Sequence, residues 1–257
     1  MRKIISAILL FAAFGANALT LAEQADSAYN KDDYRLAIDL YQQSLKEDGM
    51  SSDVYYNLGN AYYRSDKTGL AVVCYERALK LDPTDGDARA NLEFVRSRIQ
   101  DRPEDDSAFL SNLHNSLLGS MTANAWAWTA FVLFLLLLGA AALYIFSGRI
   151  VMRKTGFFSG IVLIFLFGYS LYMAWESFSY ANSHEEAVVT APSTQLSSAP
   201  RAARNSTDKV VTIHEGTKVE IIDSISTPDD PVSPKWYNVK INNSTKAWLR
   251  ASDVERI

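Results

Sequence analysis

The sequence predicts a multidomain membrane protein: an all-α helical-repeat solenoid, then a transmembrane helical hairpin, then a small all-β barrel. Three observations predict it. A pattern of small and aromatic residues recurs 34 positions apart before residue 86. Two apolar runs without charge, 125–146 and 156–175, occupy the middle. Short alternating runs bounded by turn residues follow from residue 209.

The helical repeat is clearest over Ser52 to Asp85. Tyr55, Leu58, Gly59 and Tyr62, then Ala71, Tyr75, Ala78 and Pro83, fit the two halves of a tetratricopeptide repeat (TPR), which this segment resembles. Gly59 and Ala71 are small, so two helices can approach closely, with Tyr55, Leu58, Tyr62, Tyr75 and Leu79 filling the space around that contact. Pro83 ends the second helix. One period upstream stand Leu21, Ala25, Ala28, Ala37, Tyr41 and Ser44, a weaker repeat ending at Gly49. Downstream, Ala88, Leu92, Val95 and Ile99 recur at helical spacing and predict a capping helix over 86–100. The TPR domain is therefore expected over 19–100, as two repeats and a cap. A lone amphipathic hairpin is the plainer alternative.

Ahead of it, Arg2 and Lys3, the apolar stretch Ile4 to Phe14 and Ala16-Asn17-Ala18 read as a signal peptide over 1–18. An uncleaved anchor is the alternative, but eleven apolar-region residues are short for a span. The run 125–146 is long enough to cross a ~30 Å hydrocarbon core at ~1.5 Å per residue, and so is 156–175. Eleven Leu, Ile, Val or Phe residues between Phe131 and Phe146 each favour insertion by about 0.3–0.6 kcal/mol near the centre. A buried soluble hairpin is the competing reading.

The connection 147–155 holds Arg149, Arg153 and Lys154 and no acid, whereas both outer flanks are acidic. The positive-inside tendency places this loop in the cytoplasm and both terminal domains outside, with Trp126, Trp128 and Trp175 at the outer interface. Within 101–124, Phe109, Leu110, Leu113, Leu117, Leu118 and Met121 form an apolar stripe. It fits a helix in the membrane interface or one packed under the TPR unit.

The region 176–257 is expected to begin with a Ser/Ala/Thr-rich linker and irregular loop through Asp208. Strands are then expected over Lys209–His214, Lys218–Ser224, Lys235–Ile241 and Ala247–Leu249. Gly216-Thr217-Lys218-Val219, Trp236-Tyr237-Asn238-Val239 and Ala247-Trp248-Leu249 resemble a bacterial SH3-like domain, with Ala247 in place of the usual Gly and Gln195-Leu196-Ser197 nearest to the family's first strand motif. The order of parts resembles the BatE proteins of the Bacteroides aerotolerance operon. That resemblance implies a membrane-complex subunit whose partners are von Willebrand A-domain proteins and a MoxR-type ATPase.

A net charge of −4 argues against nucleic-acid binding. His114, His184 and His214 lie in different segments, the one cysteine, Cys74, sits in a repeat helix, and no P-loop, H-E-x-x-H or nucleophile motif occurs. The chain is therefore expected to be non-enzymatic and without cofactor or metal. The candidate site is the concave TPR face: Asp26, Tyr29, Tyr56, Asn57, Asn60, Tyr63, Asn91 and Phe94. Tyr56 and Tyr63 are its expected anchors, because aromatic side chains dominate binding hot spots. Of the positions that clamp a terminal carboxylate in some TPRs, only Asn57 matches. Ala22, Asp26, Asp87 and Asn91 stand at the others, which argues against such a clamp. The function expected is a protein-binding adaptor on the periplasmic side of an inner membrane. The alternative is a wall-associated protein whose SH3-like domain holds peptidoglycan while the TPR recruits a wall enzyme.

Overall fold

The computed structural model describes residues 19–101, 109–202, 208–226, 235–241 and 245–257. The expected signal segment, 1–18, lies outside the described residues.

Five helices form the N-terminal unit: α1 (Leu21–Tyr29), α2 (Tyr34–Glu47), α3 (Ser52–Arg64), α4 (Thr68–Leu81) and α5 (Gly86–Arg96). Side-chain caps mark four of the five starts. Thr20 forms a capping box with Glu23, Asp33 accepts from the Leu36 amide, Ser51 from Val54, and Asp85 from Asp87 and Ala88. The first helical pair repeats the turn of the second, down to its backbone. Asp32 and Asp66, 34 positions apart, both adopt positive φ, 60° and 58°. Each amide bonds back to Tyr29 or Tyr63, and the next amide bonds to Ala28 or Tyr62. Ala25, Ala37, Tyr41, Leu58, Ala61, Ala71, Tyr75 and Leu92 share one core. The close approach at Gly59 differs from the expected glycine–alanine contact. A β-carbon there would lie 2.7 Å from Cε1 of Tyr75, so the glycine makes room for a buried tyrosine ring.

Helix α6 (Phe109–Leu118) leads into α7 (Ala123–Phe146) and α8 (Ile150–Ala181). Both α7 and α8 are long and apolar enough to cross a membrane, and only 11 % of the most apolar window of each is buried. A soluble hairpin core would instead hide most of that surface. The two pack closely: a β-carbon on Gly156 would come 2.6 Å from the Ala140 carbonyl oxygen, and Ser170 Oγ donates to the Trp126 carbonyl at 2.9 Å. The connection is shorter than the expected 147–155, because Arg153 and Lys154 already belong to α8. That helix also continues past residue 175 to Ala181, so the region expected as linker begins as helix. The apolar stripe before α7 is settled in part. His114 Nε2 on α6 lies 3.0 Å from Glu176 Oε1 on α8, which pins α6 to the end of that helix, while Leu113 and Leu117 stay exposed.

The C-terminal region is one antiparallel sheet with strand order β3-β2-β6-β5-β4-β1-β7. The strands are β1 (Glu186–Val189), β2 (Ser193–Ser197), β3 (Lys209–His214), β4 (Lys218–Ser226), β5 (Lys235–Lys240), β6 (Lys246–Arg250) and β7 (Val254–Arg256). Four strands fall where expected. The expected linker and loop through Asp208 is corrected, since it contains β1 and β2. The expected closed barrel is corrected too. Among the described residues β3 pairs only with β2, and β7 only with β1, so the sheet stays open. The β1–β7 end meets α4 instead. Alternation along β1 explains this: Ala187 and Val189 join the sheet core with Leu196, Val219, Val239 and Leu249, while Val188 points the other way into the TPR core.

Charged groups fasten the sheet to α4. Lys218 Nζ lies 3.2 Å from Glu76 and 2.8 Å from Glu186. Lys80 lies 3.6 Å from Glu186 and donates to the Ser183 carbonyl, and Arg96 pairs with Glu76. The side chains of Glu76 and Lys80 are each only 5 % exposed. Burial works to lower the Lys218 ammonium pKa, but Glu76, Tyr180 and Glu186 outweigh it and raise the value above that of a free lysine. Farther along, the Gly69 amide donates to Glu215 at 2.6 Å, Arg77 bonds Glu255, and Asp101 accepts from the His214 amide and from Thr217.

Candidate functional site: the groove of the helical repeats

The concave face is built by α1, α3 and α5, the first helix of each repeat and the cap. Helical spacing places Tyr56, Asn57, Asn60 and Tyr63 on one face of α3. All eight residues expected from the sequence line two adjoining hollows. Asp26, Tyr29, Tyr56, Asn57 and Asn60 line one, of about 360 Å³, and Tyr29, Asn60, Tyr63, Asn91 and Phe94 line the other, of about 90 Å³. The sheet's hydrogen bonds and ion pairs run to α4 and to Asp101 rather than to this face.

Hydrogen bonds fix the groove's polar groups in place. Asp26 Oδ1 accepts from Tyr41 Oη at 2.5 Å and from Asn57 Nδ2 at 3.2 Å. Burial and this carboxylate hold the Tyr41 hydroxyl protonated, well above a free tyrosine. Asn60 Oδ1 accepts from Tyr75 Oη at 2.7 Å and from Asn91 Nδ2 at 2.9 Å. The Asn57 amide is thus already engaged with Asp26. At the opposite end Arg98 donates to Tyr63 Oη at 2.6 Å and lies 3.9 Å from the Phe94 ring centroid. The groove therefore carries an acidic group at its α1 end, a cation, Arg98, at its α5 end, and aromatic faces between.

Tyr56 and Tyr63 are half-buried and pack against the TPR core. Phe94 projects instead, 45 % exposed, with its ring set edge-on to Tyr63. Arg98 and Tyr41 were missed by the sequence reading, Arg98 because it follows the last turn of α5 and Tyr41 because it belongs to the second helix of its repeat.

Among the described residues no group of His, Cys, Asp and Glu has an arrangement that could hold a metal ion. His114 lies against Glu176, and His214 against Asp101. Cys74 is buried, and burial pushes its thiol up to about 12, which leaves it an unreactive core residue.

The tetratricopeptide repeat family matches residues 52–85, which are α3, α4 and their flanks. No match was found among curated proteins. The protein therefore carries a TPR within a helical TPR-like region, a unit that commonly mediates protein–protein interaction.

Proposed function

We propose that this protein is a non-enzymatic adaptor, anchored by the α7–α8 hairpin, which docks a protein partner in the groove of its helical repeats. The observation that carries this reading is the groove itself. Eight side chains from three helices converge on one face, and among the described residues the sheet bonds α4 and Asp101 rather than that face. The sheet's attachment to α4 adds a constraint on topology. Two units bonded to each other must lie on the same side of any membrane, and a helical hairpin returns the chain to the side it left. The basic residues at the hairpin turn favour a cytoplasmic turn, with both units outside in the periplasm. The order of parts resembles the BatE proteins, and on that resemblance the partners are von Willebrand A-domain proteins working with a MoxR-type ATPase.

The test is a detergent-solubilised pull-down with wild-type bait and with Phe94→Ala, folding being checked by circular dichroism. Loss of specific partners from the folded variant is expected. An unchanged set of partners would remove the groove from the docking surface. Topology is checked in a Cys74→Ala background: Ser252→Cys should react with a membrane-impermeant thiol reagent in intact spheroplasts, and Ser147→Cys should not.

A further inference from the structure

A further hollow lies where α8 runs up into the TPR–sheet unit. It is a cleft of about 830 Å³ between α4, α5, α6, the last turns of α8, and strands β1 and β4. We propose that this cleft binds the headgroup of a phosphoethanolamine lipid, an inference that rests on the membrane-anchored reading.

The first argument is position. Trp175, 66 % exposed, stands at the rim, just where the apolar run of α8 ends. Tryptophan side chains favour the headgroup level of a bilayer. Leu118 lines the same rim, and Leu113 and Leu117 on α6 are exposed beside it. Acyl chains leaving the cleft would meet this apolar surface and that of α8 itself.

The second argument is charge. Most ionic groups in the lining already have partners. Glu76, Lys80, Arg96, Glu186 and Lys218 form the cluster at the floor, and Glu176 is held by His114. Three do not form ion pairs among the described residues: Arg89, Glu93 and Glu185. Arg89 Nη2 donates to the Pro83 carbonyl and lies 3.5 Å from where a β-carbon on Gly119 would stand, so the guanidinium sits against the α6 turn. One guanidinium and two carboxylates without ion-pair partners among the described residues suit a zwitterion. The lipid phosphate accepts from Arg89, and the primary ammonium donates to Glu93 and Glu185. A phosphoglycerol headgroup brings a negative charge with no cation for the two carboxylates. A phosphocholine headgroup has no N–H to donate.

The test uses the full chain, delipidated in detergent and equilibrated with equimolar dioleoyl phosphoethanolamine, phosphocholine and phosphoglycerol lipids. Retained lipid is counted by mass spectrometry. The expected result is about tenfold enrichment of the phosphoethanolamine lipid, equivalent to about 1.4 kcal/mol. Enrichment should vanish in Arg89→Gln and in Glu93→Gln/Glu185→Gln, both of which alter exposed groups and should melt like the wild type. Equal retention of the three lipids, or full enrichment in the variants, would overturn the proposal. Soluble glycerophosphoethanolamine serves as the second arm. Full displacement of the lipid by it at equal concentration would make the ligand a free headgroup and overturn the lipid assignment. Failure of the membrane reading is separately visible: alkaline carbonate would then extract the protein from membranes, and both readings would fall together.

Discussion

Replacing Lys218 by Met should loosen the sheet from the helical repeats. Its ammonium bridges Glu76 at 3.2 Å and Glu186 at 2.8 Å, and the Lys218 side chain is 22 % exposed. Removing one partner from a buried ion cluster typically costs ~3–5 kcal/mol, because the remaining charges stay desolvated and unpaired. Arg96 still serves Glu76, and Lys80 still serves Glu186, which puts the expected loss at the lower end, about 3 kcal/mol. For a chain of this size that corresponds to a fall of roughly 6–12 °C in Tm. Lys240→Met is the matched control in the same sheet. Lys240 lies 3.3 Å from Glu220, but Glu220 is 54 % exposed, and exposed pairs contribute only ~0–1 kcal/mol. The assay is thermal unfolding of the detergent-solubilised full chain, with amide hydrogen exchange of β1 and β4 as the local readout. If Lys218→Met and Lys240→Met melt together, and β1 exchanges no faster in the first, the cluster does not hold the two units.

Four further outcomes follow from the geometry. Gly59→Leu should destabilise the helical repeats by ~1–3 kcal/mol or more, because the Tyr75 ring is buried and bonded to Asn60 and cannot withdraw. Gly86→Ala, with nothing within 4 Å of its β-carbon, should be neutral or slightly stabilising in the same circular dichroism melts. Gly69→Ala would place a β-carbon 2.6 Å from the Val189 carbonyl oxygen and 2.8 Å from Glu215 Cγ, so it should raise protease cleavage between the helical unit and the sheet while leaving helix content intact. The last concerns pH. Burial works to raise the Glu186 carboxyl, but Lys218 and Lys80 outweigh it and hold it below the usual glutamate range. A depressed carboxyl stabilises docking above its unfolded value, and that stability is lost as pH falls through the folded one. Lys218, shifted upward, contributes fully below its unfolded value and loses its contribution only as pH rises through the folded one. Docking should therefore be flat across neutral pH and weaken first in acid, as read by hydrogen exchange of β1. Weakening that starts at mildly alkaline pH would contradict this ordering.

How far the chain could be read in advance depended on how near each residue's partner lies. The helical repeats were legible because their packing joins neighbours: Ala25, Tyr41, Leu58, Ala71 and Tyr75 meet residues within one or two helices of themselves, so fixed spacing records the contact. The groove residues followed from the same periodicity. The apolar runs of α7 and α8 were legible from composition alone. Strands β3 to β6 announced themselves through alternation and turn residues. By contrast, β1 and β2 are only four and five residues long within a Ser/Ala/Thr-rich stretch, too short for alternation to stand out, and are set as strands by pairing with β4, β7, β3 and β6. Only the tertiary structure decided what Glu76, Lys80 and Glu186 are. In the sequence they are ordinary helix-surface charges and an acidic flank. In the fold, Glu76 and Lys80 are nearly enclosed because Lys218, 142 residues from Glu76, and Ser183, 103 from Lys80, are brought against them. Burial and pairing of a charge depend on residues distant in the chain, and no local pattern carries that information.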